Sequence, residues 1–466
     1  MTVLDRLGEL ARGPLDAAGA ALAAVPTALN HERHRIAITG LQRSGKTVFI
    51  TSFVHALLHA ASAPKQDFPF FPWRDDVQGV AIEDIPGIAA FPYREHLGAL
   101  LGASPEWPTP TASLTGLRVR IRHTPKGLLA RRLSPKATLD LDLVDYPGEW
   151  LLDLPMLSQT YKEWSAHMEE LAKAGGRADL SGAWLAEAAG VDLDAAEDAE
   201  ALTRIGRLYL EYLRRCREEK KLYYLQPGRF LQRDGRAFDA VQPFFPVSRG
   251  RRAKPGSNAA ALRARYLDYR NSVRRFYSQV FGRLRRQVVL VDVLTALQQG
   301  HDSFADLALA VRTIADAFED LAHPLAKWTP MGRVDRLALI ATKADHVASV
   351  QLLNLVGLLR DMIGEPFIRD NARQSGLLAV ASVRATSEAM RKWQGQSLPF
   401  LRGVPDGDED EREVFAGVIP GRIPDAAEWR TFEFNIRNFR PPRLRAPHDR
   451  PLPHINLDKV LQFLIA

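Results

Sequence analysis

Eight residues, GLQRSGKT from Gly40 to Thr47, restrict the fold of this chain more than any other stretch. Gly40, Gly45, Lys46 and Thr47 fit G-x-x-x-x-G-K-[ST], the spacing at which backbone N–H groups of a glycine loop cradle phosphate oxygens. The flanks are those such a loop requires. RIAIT (Arg35 to Thr39) is a β-branched run that reads as a buried strand, and Ile50, Phe53, Val54, Leu57 and Leu58 recur at the spacing of an amphipathic helix. Strand, glycine turn and helix in that order aim the loop amides and the positive helix end at one anion. Lys46, expected to stand exposed on the loop, then reaches the β- and γ-phosphates, and the Thr47 hydroxyl coordinates Mg²⁺. Arg43, Ser44, Gly45 and Val48 complete the expected contacts of the loop. The alternative is a plain glycine turn carrying a solvated lysine.

A second candidate is TLDLDLVDYPGEW (Thr138 to Trp150), a strand of alternating leucine and aspartate that ends at a Pro-Gly turn. Asp145 is placed to hold a metal-bound water, and Gly148 to bring a backbone N–H to the γ-phosphate. EDIPG (Glu83 to Gly87) has the same D-x-x-G spacing behind a shorter apolar run and is the weaker site. The third candidate selects the base. In DRLALIATKAD a strand, Leu337 to Ala341, runs into Thr342, Lys343 and Asp345. A carboxylate in the base plane accepts from guanine N1–H and the 2-amino group, whereas adenine would leave the buried charge unpaired. Lys343 is expected to lay its stem along the base.

In this order GLQRSGKT, LDLVDYPG and TKAD resemble the motifs of Ras-like GTPases. More narrowly, the chain resembles the bacterial YcjX-like family of predicted GTPases through DIPG with FPYREHL, WPTPT, DYPGEWLLDLPML, TKADHV, ASVRAT and the tail FRPP…PHINLDKVLQFL. The resemblance implies a fourth motif in VASVRAT, with Ser382 and Val383 meeting the guanine oxygen. It also points to Thr111 of the Pro-rich loop as the threonine that closes the Mg²⁺ site, with Thr109 and Thr115 as alternatives. It further implies a bacterial cytoplasmic protein linked to stress. Departures affect catalysis most. Gln42 and Arg43 crowd the loop, and Glu149 stands where many relatives of the wider group carry a water-orienting glutamine. A carboxylate beside a trianion is electrostatically awkward. Lys46, Thr111, Gly148 and Glu149 are thus the residues expected nearest the chemistry.

Length predicts a core domain with insertions, because 466 residues exceed what one hydrophobic core usually organises. We expect an amphipathic helical segment over 1–30, a nucleotide-binding core in two parts over 31–150 and 286–466, and a basic helical insertion over 151–285. The insertion interleaves arginine with tyrosine and phenylalanine. A helical subdomain with solvated faces is the plainer reading of that composition; contact with an anionic membrane surface is the other. A net charge of +7 is too small on this length to argue for nucleic acid. The lone Cys216 fits a reducing cytoplasm, and neither a secretory signal nor the roughly 20-residue apolar run of a membrane span is apparent.

The expected architecture is a Ras-like P-loop NTPase, a mainly parallel sheet with helices on both faces and a large helical insertion. The expected function is a switch that binds GTP or GDP with Mg²⁺, hydrolyses GTP slowly and acts on a protein effector. The competing readings are an interaction module with negligible turnover and, behind it, an ATP-dependent enzyme.

Overall fold

The computed structural model describes residues 31–111, 113–125, 136–231, 242–250, 253–280, 284–322, 334–370, 374–393, 395–444 and 449–465. The helical segment expected over 1–30 lies outside them. The β-branched runs form an eight-stranded sheet from β1 (His31–Gly40), β2 (Val77–Glu83), β3 (Ala89–Ala90), β4 (Thr115–His123), β5 (Ala137–Asp145), β6 (Arg286–Val291), β7 (Arg336–Ala341) and β8 (Ser375–Ala379). Their order is β2-β4-β5-β1-β6-β7-β8, with β3 beside β4. Strands β5, β1, β6, β7 and β8 run parallel, whereas β4 and β2 are antiparallel additions at one side. The chain leaves β1 for one side of the sheet and returns for the other, so the crevice beyond β1 is the topological switch point where ligands of such sheets bind.

Alternation along the strands supplies two apolar faces. Ile36, Ile38, Leu141, Leu143, Val288, Leu290 and Ile340 pack with Phe49, Ile50, Phe53 and Val54 of α1 (Lys46–His59) and with the C-terminal helix Leu457–Ile465. Ala37, Val144, Val289, Val291, Leu339 and Ala341 face the other way, under the helices His301–Ala322 and Leu352–Ile363. Towards the strands' N-terminal ends this second face turns ionic. Asp140 and Asp142, the aspartates that alternate with leucine, are buried at 1% and 0% exposure. Arg33, Arg35 and Arg118 converge on Asp142, while Arg120 and His31 bind Asp140. Pairing is what makes buried carboxylates tolerable there.

Between β5 and β6 lie the insertion helices α3 (Tyr161–Leu171), α4 (Gly175–Ala189), α5 (Ala199–Glu218) and α6 (Asn258–Val280). Trp164, Trp184, Tyr209, Tyr266, Tyr269 and Tyr277 are fully buried and form the core of this bundle. The aromatic half of the arginine–tyrosine pattern therefore points inward. After β6 ends at Val291 the apolar run continues as a helix: Asp292 accepts the Thr295 N–H at 3.0 Å and caps Val293–Gln299, because a capped turn satisfies N–H groups that have no further strand to pair with. A three-stranded antiparallel sheet (Ser387–Trp393, Gln396–Gly403, Arg412–Val414) follows β8, with an acidic turn between its last two strands. Among the described residues no helix is long and apolar enough to cross a membrane.

Candidate nucleotide site

The loop from Gly40 to Gly45 emerges from the end of β1 and turns into α1. Arg43 and Gly45 both have positive φ, 59° and 77°. Left-handed residues among right-handed ones turn successive N–H groups to one side, which makes an anion-binding concavity. The base of the loop is tight. A Cβ at Gly40 would lie 2.0 Å from the Ser44 Oγ, and one at Gly148 would lie 2.2 Å from the Gly40 carbonyl oxygen. Only glycine lets the D-x-x-G turn touch the phosphate loop this closely. The Leu41 N–H donates to Leu290 O, which moors the loop to β6. Ser44 and Thr47 are buried, Gln42, Lys46 and Val48 half-buried, and Arg43 exposed.

Lys46 is not the exposed lysine expected from the sequence. Its ammonium lies 2.7 Å from Asp145 Oδ1 and donates to the Tyr146 carbonyl at 2.8 Å, with 12% of the side chain exposed. The buried Asp145 carboxylate thus meets the charge at the loop's mouth. Thr111 donates its hydroxyl to Asp145 Oδ2 at 2.5 Å. Of its rivals, Thr109 is exposed, and Thr115 is buried in β4, its hydroxyl without a partner among the described residues. Thr47, Thr111 and Asp145 are hard oxygen donors close to the loop, the chemistry Mg²⁺ takes. No cluster of three or more His, Cys, Asp and Glu able to hold a metal occurs among the described residues. The weaker D-x-x-G candidate, Glu83 to Gly87, follows the outermost strand β2.

The base side lies at the ends of β7 and β8. Lys343 adopts φ 58°, which turns the chain so that the buried Asp345 faces the fourth motif. The Ala385 N–H donates to Asp345 Oδ2 at 2.8 Å, and Thr386 donates its hydroxyl to the Asp345 carbonyl at 2.5 Å. The residues that grip Asp345 thus fall two and more positions beyond Ser382 and Val383. Ser382 is half-buried, and Val383 places its side chain in a small apolar cluster that Val48 also joins. Thr342 donates its N–H to Val291 O. Lys343 is held by Asp292, its Nζ 2.6 Å from Oδ2, and by Asn438 at 3.2 Å. Asp292 was missed from sequence, although an aspartate closing a buried apolar strand, as Asp145 does, was the available signal.

Behind Gly148 the chain forms a 3-10 segment, Gly148–Leu157, which the insertion grips. Tyr277 donates to the Trp150 carbonyl and Tyr266 to that of Met156, and Gln226 donates to that of Leu152. A Cβ at Gly228 would lie 2.3 Å from the Glu149 carbonyl oxygen. The Glu149 side chain is half-buried and has no ion pair or hydrogen bond among the described residues. The fully buried Asp153 accepts from the Gly228 N–H at 2.8 Å and the Tyr269 hydroxyl at 2.6 Å. Burial pushes its carboxyl up to about 6 even though these donors and the Arg229 guanidinium favour the anion. Between its unfolded value near 4 and about 6 the folded chain holds a proton that the unfolded chain has released, so stability falls as pH rises through that window. Relative to wild type, Asp153→Asn is expected to gain on the order of 2–3 kcal/mol from pH 4 to pH 7. Thermal denaturation of both proteins across that range measures the difference.

This sheet, with a glycine loop at its switch point and base-side residues at neighbouring strand ends, defines a Ras-like P-loop protein. The chain belongs to the YcjX-like family, DUF463, whose profile matches residues 34–466. It is 37% identical over 452 residues to a protein of Escherichia coli K12 named Ras-like GTPase YcjX, covering 93% of this chain and 96% of that relative. A protein of the same name from Shewanella oneidensis is 32% identical over 459 residues, covering 93% and 94%.

Proposed function

We propose that this chain is a GTPase switch that binds GTP and GDP with Mg²⁺ and hydrolyses GTP slowly. The observation that carries the reading is the convergence, at one sheet edge, of the loop closed by Gly40 and Gly148, the Lys46–Asp145–Thr111 cluster and the buried Asp345. The names of the two relatives support it. Loop amides and Lys46 bind the phosphates; Thr47, Thr111 and Asp145 hold Mg²⁺, which when bound neutralises phosphate charge. The Gly148 N–H reports the γ-phosphate. Asp345 selects guanine, with Thr342, Lys343, Ser382 and Val383 lining the base.

Glu149 follows directly on Gly148 and its side chain has no partner among the described residues, so in this reading nothing orients the attacking water and turnover of the purified protein should be slow, on the order of 10⁻⁴ s⁻¹ as in unstimulated small GTPases. Titration with GTP, GDP and ATP, followed by single-turnover hydrolysis, tests both parts. Equal affinity for ATP sinks the guanine assignment, and fast turnover sinks the slow switch. The grip of the insertion on Gly148–Leu157 favours a second reading, a GTP-ordered interaction module with negligible turnover; GTP intact after days distinguishes it.

The effector is proposed to be a protein rather than nucleic acid, since the insertion's large buried aromatics offer no stacking surface. Any contact of the insertion with a membrane would rest on its exposed arginines. The proposed compartment is the cytoplasm. A stress-related role is tested by survival after heat shock of cells carrying wild type or a nucleotide-free variant.

A further inference from the structure

At the opposite end of β1 from the phosphate loop, Arg33, Arg35, Arg285 and Arg286 line a cavity of about 320 Å³. Parallel pairing of β1 with β6 sets Arg286 against Ile36 and so brings the four arginines together at the strands' N-terminal ends. At about 3.3 Å per residue they stand roughly 13–23 Å from Gly40 along the strand, too far to share its ligand.

Their charge is poorly met. Asp142 serves both Arg33 and Arg35 and is shared with Arg118, which also reaches Asp140 at 3.6 Å. Arg285 has a long contact to Asp335, 3.4 Å, and Arg286 donates to a neutral acceptor, the Leu464 carbonyl. Glu32 is turned outward, 73% exposed, towards His34. Each guanidinium carries five N–H donors, so most of those lining the cavity have no protein acceptor among the described residues. Burial holds Arg286 below its ordinary pKa, and Arg336 and Arg285 push the same way against Asp335 and Glu32. Covering one buried aspartate does not require this much cation. A concave set of guanidinium forks, with Arg35 and Arg286 half-buried and Arg33 and Arg285 exposed at its rim, matches the geometry of phosphate oxygens.

We propose that this pocket is a second anion site, which binds the phosphate groups of a small phosphorylated ligand or of a lipid headgroup. The proposal is independent of the nucleotide reading. Its test uses the full chain and inorganic pyrophosphate as probe, titrated calorimetrically into wild type, Arg285→Glu, Arg35→Lys and Lys46→Ala. The Arg285 side chain is 65% exposed, so its replacement spares the core.

Arg285→Glu is expected to weaken pyrophosphate binding by at least about tenfold, since it removes one charge-assisted contact and adds repulsion. Arg35→Lys, which keeps the charge and loses the fork, should fall between it and wild type. Lys46→Ala should remove only the phosphate-loop component of pyrophosphate binding and retain the separate component that Arg285→Glu weakens. Flotation with phosphatidylglycerol vesicles, against phosphatidylcholine alone, separates the two sources. Recruitment lost in Arg285→Glu assigns the headgroup, and pyrophosphate binding without recruitment assigns a free phosphate; either supports the site. Binding that only Lys46→Ala abolishes, an Arg285→Glu protein equal to wild type in both assays, or no response of wild type to either probe would overturn it.

Discussion

Asp345→Asn should exchange the preference of this protein from GTP to XTP. The carboxylate is buried, and its Oδ2 accepts from the Ala385 N–H. In the variant that N–H holds the amide oxygen on its own side, so the amide NH₂ takes the place of Oδ1. Xanthine carries a carbonyl where guanine carries an amino group, and the new donor meets that carbonyl while the oxygen still accepts from the ring N–H. GTP binding should weaken and XTP binding strengthen by about 2–3 kcal/mol each, a swing of roughly three to four orders of magnitude in the ratio. Both affinities are to be measured in both proteins. An unmoved ratio would show that Thr342–Asp345 is a surface turn with no base against it.

Lys46→Ala is expected to lose Mg²⁺-GTP binding, at a cost on the order of 1.5–3 kcal/mol for each charge-assisted phosphate contact. The structure adds a consequence for stability. Asp145 is 1% exposed, and removing the ammonium 2.7 Å from it leaves a buried charge with the Thr111 hydroxyl alone. Breaking such a pair costs about 3–5 kcal/mol. Lys46→Ala/Asp145→Asn should therefore melt close to wild type while still failing to bind GTP. If the single variant keeps its melting point, the ion pair belongs to no buried network; if it keeps its affinity, the loop is not the phosphate site.

The sheet was legible because β6 and β7 are apolar runs, because leucine recurs at every second position of β5, and because chemistry-bearing residues stand at the strands' C-terminal ends: Gly40 ending β1, Asp145 closing β5, Thr342 after β7. What could not be read followed from partners distant in sequence. Nothing near Lys46 announces Asp145 as its ion-pair partner, and nothing in Ser382 or Val383 shows that Ala385 is the residue on Asp345. The three-stranded sheet over 387–414 was invisible for another reason. It buries little, chiefly Leu401 with Ala416 and Phe439, and exposes Met390, so its strands lack an alternating apolar pattern. The insertion kept membrane contact open as a second reading because one-dimensional interleaving of tyrosine with arginine does not reveal which set points inward.

The Gly148–Leu157 segment has the phosphate loop against one end and insertion side chains on its carbonyls along the rest. Its position is consequently a single variable shared by two distant surfaces. Thermodynamic reciprocity then applies: if nucleotide changes the affinity of helices α3–α6 for another molecule by some factor, that molecule changes the affinity for nucleotide by the same factor. A molecule seated on the bundle that favoured one placement of Gly148 would thus promote nucleotide retention or release without touching the loop at all.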